Sequence, residues 1–320
     1  MSEFLLEAKN LTKFFGYGFL GRVKFPAVDK VSFDMESDPK ILTVAGESGC
    51  GKTTLARILL GFLKPNEGTV FYKGRSIYHL KRKERKWFRK EVQAIFQDPY
   101  GTFNPLRNVD SYLFGTVKHL LGMSRKEAFA HIEEVLGFVG LFIKDIMDKN
   151  PNEFSGGQVQ RISIARALLP EPRLILADEP VSMIDASLRM NILNMFKELK
   201  KQQDISIIYI THDLATAYYI SDEIAIMYRG MIVEQGPADE VLLSQYHPYT
   251  KALVSSLPEP GKREKWLKEK VNPSGMEVKE FLAPNCKYAD ICPNKSGKCQ
   301  KEKPALFEVG KVKVACWLYE

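Results

Sequence analysis

Eight residues, GESGCGKT (Gly46–Thr53), have the types and spacing to hold phosphate oxygens. They fit the pattern G-x-x-x-x-G-K-[ST]. Gly46, Gly49 and Gly51 let successive backbone N–H groups turn inward around an anion, while Glu47, Ser48 and Cys50 fill the free positions. Lys52 brings a point charge to the β- and γ-phosphates, the Thr53 hydroxyl can ligate Mg²⁺, and Thr54 continues the first helical turn. A nucleoside triphosphate is the expected ligand, with Cys50 a spacer and not a nucleophile. Further on, PRLILADEP ends an apolar run on two carboxylates, Asp178 and Glu179. At a strand end one carboxylate can hold Mg²⁺ through water while its neighbour takes a proton from an attacking water. Asp178 is assigned to the metal and Glu179 to the general base.

Two further clusters have chemical potential. NEFSGGQVQRISIARALL starts a helix at Ser155, Gly156, Gly157 and Gln158, a second helix N-terminus able to bind an anion. The P-loop already supplies one phosphate site, so a second raises the question of whose phosphate it meets. Of five cysteines, four (Cys286, Cys292, Cys299 and Cys316) stand near the C-terminus with spacing C-x₅-C-x₆-C-x₁₆-C. Zinc sites usually show short C-x₂₋₄-C knuckles, absent here. Wider spacing suits an iron–sulfur cluster, with zinc still open on spacing alone.

These residues need particular elements to carry them. ILTVA reads as a short buried strand and TTLARILLG as a helix stopped by Gly61, so the P-loop falls between strand and helix. Strands ending on such loops imply an α/β core with a largely parallel sheet. Residues from about 98 to 166, with RKEAFAHIEEVLGFVGL at their centre, read as a helical subdomain carrying Ser155. Pro258, Pro260 and Gly261 mark a boundary, giving domains 1–257 and 258–320. The second is a lysine-rich appendage, poor in apolar residues, for which a metal would supply the missing core.

Bulk properties narrow the class. The 320 residues are 45% hydrophobic and 27% charged, as in an ordinary globular protein. The N-terminal MSEFLLEAKN has neither basic n-region nor long apolar h-region, so no signal peptide is expected. No apolar run is long enough to span a membrane, and the expected compartment is the cytosol, where clustered thiols bind metal more often than they form disulfides. The net charge of +7 and the run LKRKERKWFRK (Leu80–Lys90) raise nucleic-acid binding, but a solvated helix face is the plainer reading and no nucleic-acid partner is expected.

FSGGQ resembles the signature of the ATP-binding cassette (ABC) family, and other motifs of that family follow in order. Gln97 in AIFQDP resembles the Q-loop residue, Asp185 in SMID the D-loop aspartate, and His212 in IYITHDL the switch histidine. Phe154 and Val159 depart from the usual signature without removing a polar group. The resemblance implies a RecA-like core with an antiparallel β subdomain and a helical signature subdomain. It implies ATP and Mg²⁺, with Gln97 touching metal and water and His212 the γ-phosphate. Two such domains would pair head to tail, the signature of one capping the ATP held by the other. The adenine would stack on an aromatic after the first strand; Phe15 best matches, with Phe14 and Phe25 as alternates.

IFQDPYGTFNPLRNV, YHPYTKALVSSLP and the cysteine-bearing tail are similar to ATPase subunits of oligopeptide/dipeptide-type ABC importers, closer to their F type than their D type. That resemblance implies a peripheral protein at the cytoplasmic face of the membrane. Its partners would be a D-type ATPase in a head-to-tail heterodimer, two transmembrane permease subunits and an extracytoplasmic substrate-binding protein. Relatives carrying oligosaccharides or nickel keep the cargo open. A soluble ABC ATPase acting on ribosomes or nucleic acid is the rival. The resemblance also implies a 4Fe–4S cluster on Cys286, Cys292, Cys299 and Cys316, with zinc as the alternative.

Overall fold

The computed structural model describes residues 3–17, 23–256 and 278–320, so the expected boundary at Pro258–Gly261 lies outside the described residues. Two sheets organise the chain. A four-stranded antiparallel sheet runs in the order β2 (Val23–Glu36), β1 (Phe4–Tyr17), β4 (Glu67–Tyr72), β5 (Arg75–Ser76). At the centre of the second sheet, β9 (Glu223–Tyr228), β3 (Ile41–Ala45), β8 (Ser206–Thr211), β7 (Leu174–Asp178) and β6 (Val92–Ile95) lie side by side and parallel. Every residue of β3, β7 and β8 is buried, which is why their sequences read as unbroken apolar runs and do not alternate.

This order places the chemistry. The P-loop follows β3 and leads into α1 (Lys52–Leu59). Asp178 and Glu179 stand at the end of β7, His212 just past β8, and Gln97 just past β6. Four adjacent parallel strands therefore deliver all these residues to one edge, the carboxyl end where ligands bind in open α/β sheets.

One face of the main sheet packs against α3 (Val109–Leu120), α4 (Arg125–Phe138), α5 (Gly156–Leu168) and α6 (Ala186–Gln203), around Ile132, Leu136, Ile162, Phe196 and Tyr209. On the other face the antiparallel sheet and α1 enclose Leu11, Met35, Leu55, Ile58 and Tyr72.

The tail differs from the expected separate appendage. After β10 (Met231–Pro237) the chain forms α8 (Ala238–Ser244) and α9 (Pro248–Ser255), and the described tail begins with α10 (Val278–Phe281). Strand β12 (Val312–Val314) pairs with β10, and β11 (Phe307–Val309) pairs with β12, extending the main sheet to eight strands. Val312, Val314 and Tyr288 are buried in one cluster with Tyr228, Tyr249 and Val241. A few well-placed apolar residues suffice because the tail borrows an existing core instead of building its own.

His247 caps α9: its Nδ1 accepts the Tyr249 N–H at 3.0 Å, and Pro248 occupies the first helical turn, where its missing N–H costs nothing. Burial lowers the imidazole to a pKa of about 4, so it stays neutral at pH 7. The unfolded chain takes that proton first, at about pH 6.5, so stability is lost as the pH falls from there toward 4, by up to about 3 kcal/mol. His247→Asn retains a capping acceptor and removes this titration. Urea midpoints measured between pH 4.5 and 7.5 should fall less steeply on the acid side in the variant; identical slopes would contradict the assignment.

Candidate functional site

The P-loop backbone is shaped by close approach. A Cβ at Gly51, whose φ is +114°, would lie 2.1 Å from the Ala27 carbonyl oxygen. One at Gly46 would lie 2.2 Å from that of Met227. Only glycine fits at either position. Lys52 is buried, and its ammonium donates to the carbonyls of Gly46 at 2.7 Å and Glu47 at 2.9 Å. The charge is thus held under the loop by two of the loop's own carbonyls. Cys50 is 1% exposed and burial pushes its thiol pKa up, the reverse of an activated nucleophile.

Thr53 and Asp178 meet beside the loop, with Oγ1 donating to Oδ1 at 3.5 Å. Asp178 is 6% exposed; burial raises its pKa, the Thr53 bond opposes that, and the Glu179 carboxylate adds to it. A hydroxyl and a carboxylate so placed form a hard-oxygen donor pair that fits Mg²⁺, and a bound cation would oppose the upward shift of Asp178.

Glu179 is the centre of the site. Its backbone is left-handed (φ 48°), fixed by its N–H donating to the Ile210 carbonyl at 2.9 Å and by the Ser182 hydroxyl donating to its own carbonyl at 2.9 Å. The side chain is 13% exposed and held on both oxygens. Gln97 Nε2 donates to Oε2 at 3.0 Å, and His212 Nδ1 lies 3.0 Å from Oε1. Ser48, Gly49, Gly51, Lys52, Thr53, Thr54, Gln97 and Glu179 line a cleft of ≈ 260 Å³. A carboxylate with both oxygens in hydrogen bonds at the mouth of a phosphate cleft can accept a proton from a water lined up on a terminal phosphate.

Other expected site residues stand apart from this cleft. Ser155 caps α5: its Oγ accepts the Gln158 N–H at 3.4 Å, and the Gln158 side chain accepts the Ser155 N–H at 2.9 Å. Ser155, Gly156 and Gly157 are not among the cleft walls, and Ser155 is exposed. Val159 is fully buried and Phe154 nearly so, which explains apolar residues at both signature departures. Asp185 caps α6, exposed and without a side-chain capping bond. Among the aromatics, Phe15 is 39% exposed and pairs across the strands with Phe25. Phe25 packs edge-on against Phe281 at 5.6 Å, and Phe14 is half-buried. Phe15 is therefore the most exposed ring of the three, with the Lys13 ammonium 6.0 Å from its centre.

The tail thiols depart from the expected ligand set. The fold brings them to one end of the molecule, where the Cys286 N–H donates to the Cys299 carbonyl at 3.1 Å. Burial raises Cys286 to a pKa of about 11, and Cys299, Cys316 and Cys292 each add to that rise. Among the described residues, however, no group of three or more His, Cys, Asp or Glu is placed to hold a metal ion. Sequence reasoning also missed contacts behind the P-loop: the Glu47 N–H donates to the Tyr249 hydroxyl, and Lys287 of the tail pairs with buried Asp29. The segment HPYT drew notice for its resemblance, but no local pattern says that its tyrosine reaches a loop two hundred positions away.

A parallel sheet whose strand ends deliver a P-loop, a paired carboxylate, a glutamine and a histidine, with a helical subdomain carrying SGGQ, defines an ATP-binding cassette. The comparisons agree. The ABC transporter family model matches residues 28–182, and the model of the oligopeptide/dipeptide transporter C-terminal region matches 233–299. Oligopeptide transport ATP-binding protein OppF of Bacillus subtilis is 40% identical over 88% of this chain and 92% of its own. Dipeptide transport ATP-binding protein DppF of Escherichia coli is 36% identical over 91% and 86%. The solved dimeric cassette MJ0796, in a post-hydrolysis state bound to ADP and Pi, superposes with a TM-score of 0.65 at 27% identity, covering 73% of this chain and 98% of that one. The chain belongs to the family of ABC-transporter ATP-binding proteins of the oligopeptide/dipeptide type, and is an ATPase. No described helix is long and apolar enough to cross a membrane.

Because a Cβ at Gly51 meets backbone, which does not yield as a flexible side chain does, Gly51→Ala should weaken ATP binding at least tenfold. A fluorescent nucleotide titration of the folded variant checks this; wild-type affinity would contradict the geometry.

Proposed function

We propose that this chain is the ATP-hydrolysing subunit that drives import of oligopeptides or dipeptides through an ABC importer. The observation that carries it is the Glu179 carboxylate, held 3.0 Å from both Gln97 and His212 at the mouth of the P-loop cleft. The P-loop amides and Lys52 bind the phosphates, and Thr53 and Asp178 would hold Mg²⁺, which would supply neutralisation of phosphate charge. Glu179 takes the proton from the attacking water, with Gln97 and His212 fixing its orientation. His212 is half-exposed, so it faces the cleft mouth while it holds Glu179.

Peptide cargo is supported by the match of residues 233–299 to the oligopeptide/dipeptide transporter region and by relatives with those names. Ser155, exposed at a helix N-terminus away from its own cleft, suits a phosphate held by another subunit. The reading is therefore a head-to-tail pair with a D-type ATPase, beneath two permease subunits served by an extracytoplasmic binding protein. Beside Gln97, a groove of ≈ 610 Å³ lined by Phe62, Phe96, Phe88, Arg85, Arg89 and Arg166 suits a cytoplasmic permease helix, which supports the reading of a peripheral protein at the cytoplasmic face. The domain division at 257/258 belongs to the same reading.

The cysteine tail completes it. A 4Fe–4S cluster on Cys286, Cys292, Cys299 and Cys316, or zinc in its place, is supported by four thiols gathered from distant positions in one neighbourhood. Against it stands the absence, among the described residues, of a group placed for ligation. Iron and acid-labile sulfide, assayed after anaerobic purification, should approach four of each per chain by the stoichiometry of such a cluster. Colourless protein containing zinc would refute the cluster in favour of zinc, and protein without metal would refute both.

Glu179→Gln tests the hydrolytic reading. Hydrolysis by the assembled transporter should fall by about 10²–10⁴-fold while ATP binding persists, trapping the closed pair. Normal turnover would sink the assignment.

A further inference from the structure

The P-loop needs support from outside, and the structure shows two sources of it. The first passes through the β9–β10 turn. The Gly230 N–H donates to the Cys50 carbonyl at 2.7 Å, and the Gly230 carbonyl accepts the Asp29 N–H at 2.8 Å. Lys287, from the C-terminal segment, closes this arrangement. Its ammonium donates to the Arg229 carbonyl at 2.7 Å and pairs with Asp29 at 2.8 Å, their side chains only 2% and 8% exposed. Arg229 answers by donating to the Lys287 carbonyl at 3.2 Å. Lys303 adds a second ammonium on Asp29 at 2.7 Å. Although burial pushes Asp29 up, the two lysines hold it below its ordinary value, while burial draws Lys287 down to about 8.

The second source is Tyr249. Its hydroxyl accepts the Glu47 N–H of the P-loop at 3.2 Å. Its ring lies 4.4 Å from Tyr228 and 5.7 Å from Tyr288, and Tyr228 and Tyr288 meet edge-on at 5.4 Å. Tyr288 directly follows Lys287, two residues past Cys286. Both lines of contact therefore run from the P-loop backbone to the same short stretch of the tail.

We propose that Tyr249 and Lys287 are positioning residues for ATP binding, through which the docked C-terminal segment holds the P-loop in its phosphate-binding shape. A buried ion pair of this kind is weak evidence for stability, but it fixes one arrangement of the groups around it. A loop that adopts its competent shape for only a fraction of the time binds ligand more weakly by that fraction. Neither residue touches Glu179, so their loss acts on affinity and not on the hydrolytic step. This deepens the ATPase reading and rests on it.

The test uses the purified full chain and the assembled transporter. Tyr249→Phe keeps the ring and deletes the acceptor; ATP should bind about two- to tenfold more weakly, the effect of one hydrogen bond. Lys287→Met leaves Asp29 and the Arg229 carbonyl without their buried partner and should weaken binding at least as much, with Lys287→Arg restoring part of it. In both variants amide hydrogen exchange across residues 46–51 should quicken, while kcat at saturating ATP stays at the wild-type value. Lys298→Met, which removes the surface pair with Glu320 in the same segment, should change neither readout. Wild-type affinity and unchanged P-loop exchange in Tyr249→Phe would overturn the proposal, even if Lys287→Met fails to fold. So would an equal loss in Lys298→Met. A wild-type chain that binds no ATP would instead sink the ATPase reading itself.

Discussion

The structure turns on one carboxylate that must face water and phosphate while staying fixed. Glu179 achieves this at the cost of a left-handed backbone, on the order of 1 kcal/mol or more for a residue with a Cβ. Bonds to Ile210 on the neighbouring strand and to Ser182 hold that backbone, and Gln97 and His212 hold the side chain. Gln97 arrives just past β6, Ile210 on β8 and His212 just past it, so the sheet order is a condition of the chemistry. Moving β6 or β8 away from β7 would release one side of the carboxylate.

The P-loop is subject to the same logic. A loop that turns its N–H groups onto an anion has few contacts of its own to stabilise that shape. Here the support comes from the β9–β10 turn through Gly230 and from α9 through Tyr249, while the Ala27 carbonyl of β2 leaves room only for glycine at position 51. The tail then packs behind these supports, with Val312 and Val314 in the shared core and Lys287 inside a charged cluster. Catalytic sheet and cysteine-bearing segment are thus parts of one packed body among the described residues, although they are distant in sequence.

Much of this was legible in the residues. The P-loop, the Asp178–Glu179 pair and SGGQ each carry a local pattern dictated by local physics: glycines for close approach, carboxylates at a strand end, a serine cap. Gln97 and His212 are visible only through their place in the series, since a lone glutamine or histidine after a strand has no signature of its own. The tail was misjudged because composition counts apolar residues without saying what they touch. Val312 and Val314 look too few to make a core until β12 is seen to pair with β10. Tyr249 and Lys287 escaped for the same reason: the Glu47 N–H and the Asp29 carboxylate that they meet are nonlocal partners, and a buried lysine reads in sequence as one more surface charge.

The central claim is that Glu179 works only while Gln97 and His212 hold it against a phosphate bound in the cleft. Single-turnover hydrolysis of radiolabelled ATP by the assembled transporter carrying His212→Ala addresses it most directly. The account requires ATP to be retained at near wild-type affinity while cleavage slows by about 10²-fold or more, as for loss of a group acting on the proton transfer. Cleavage at the wild-type rate would contradict it.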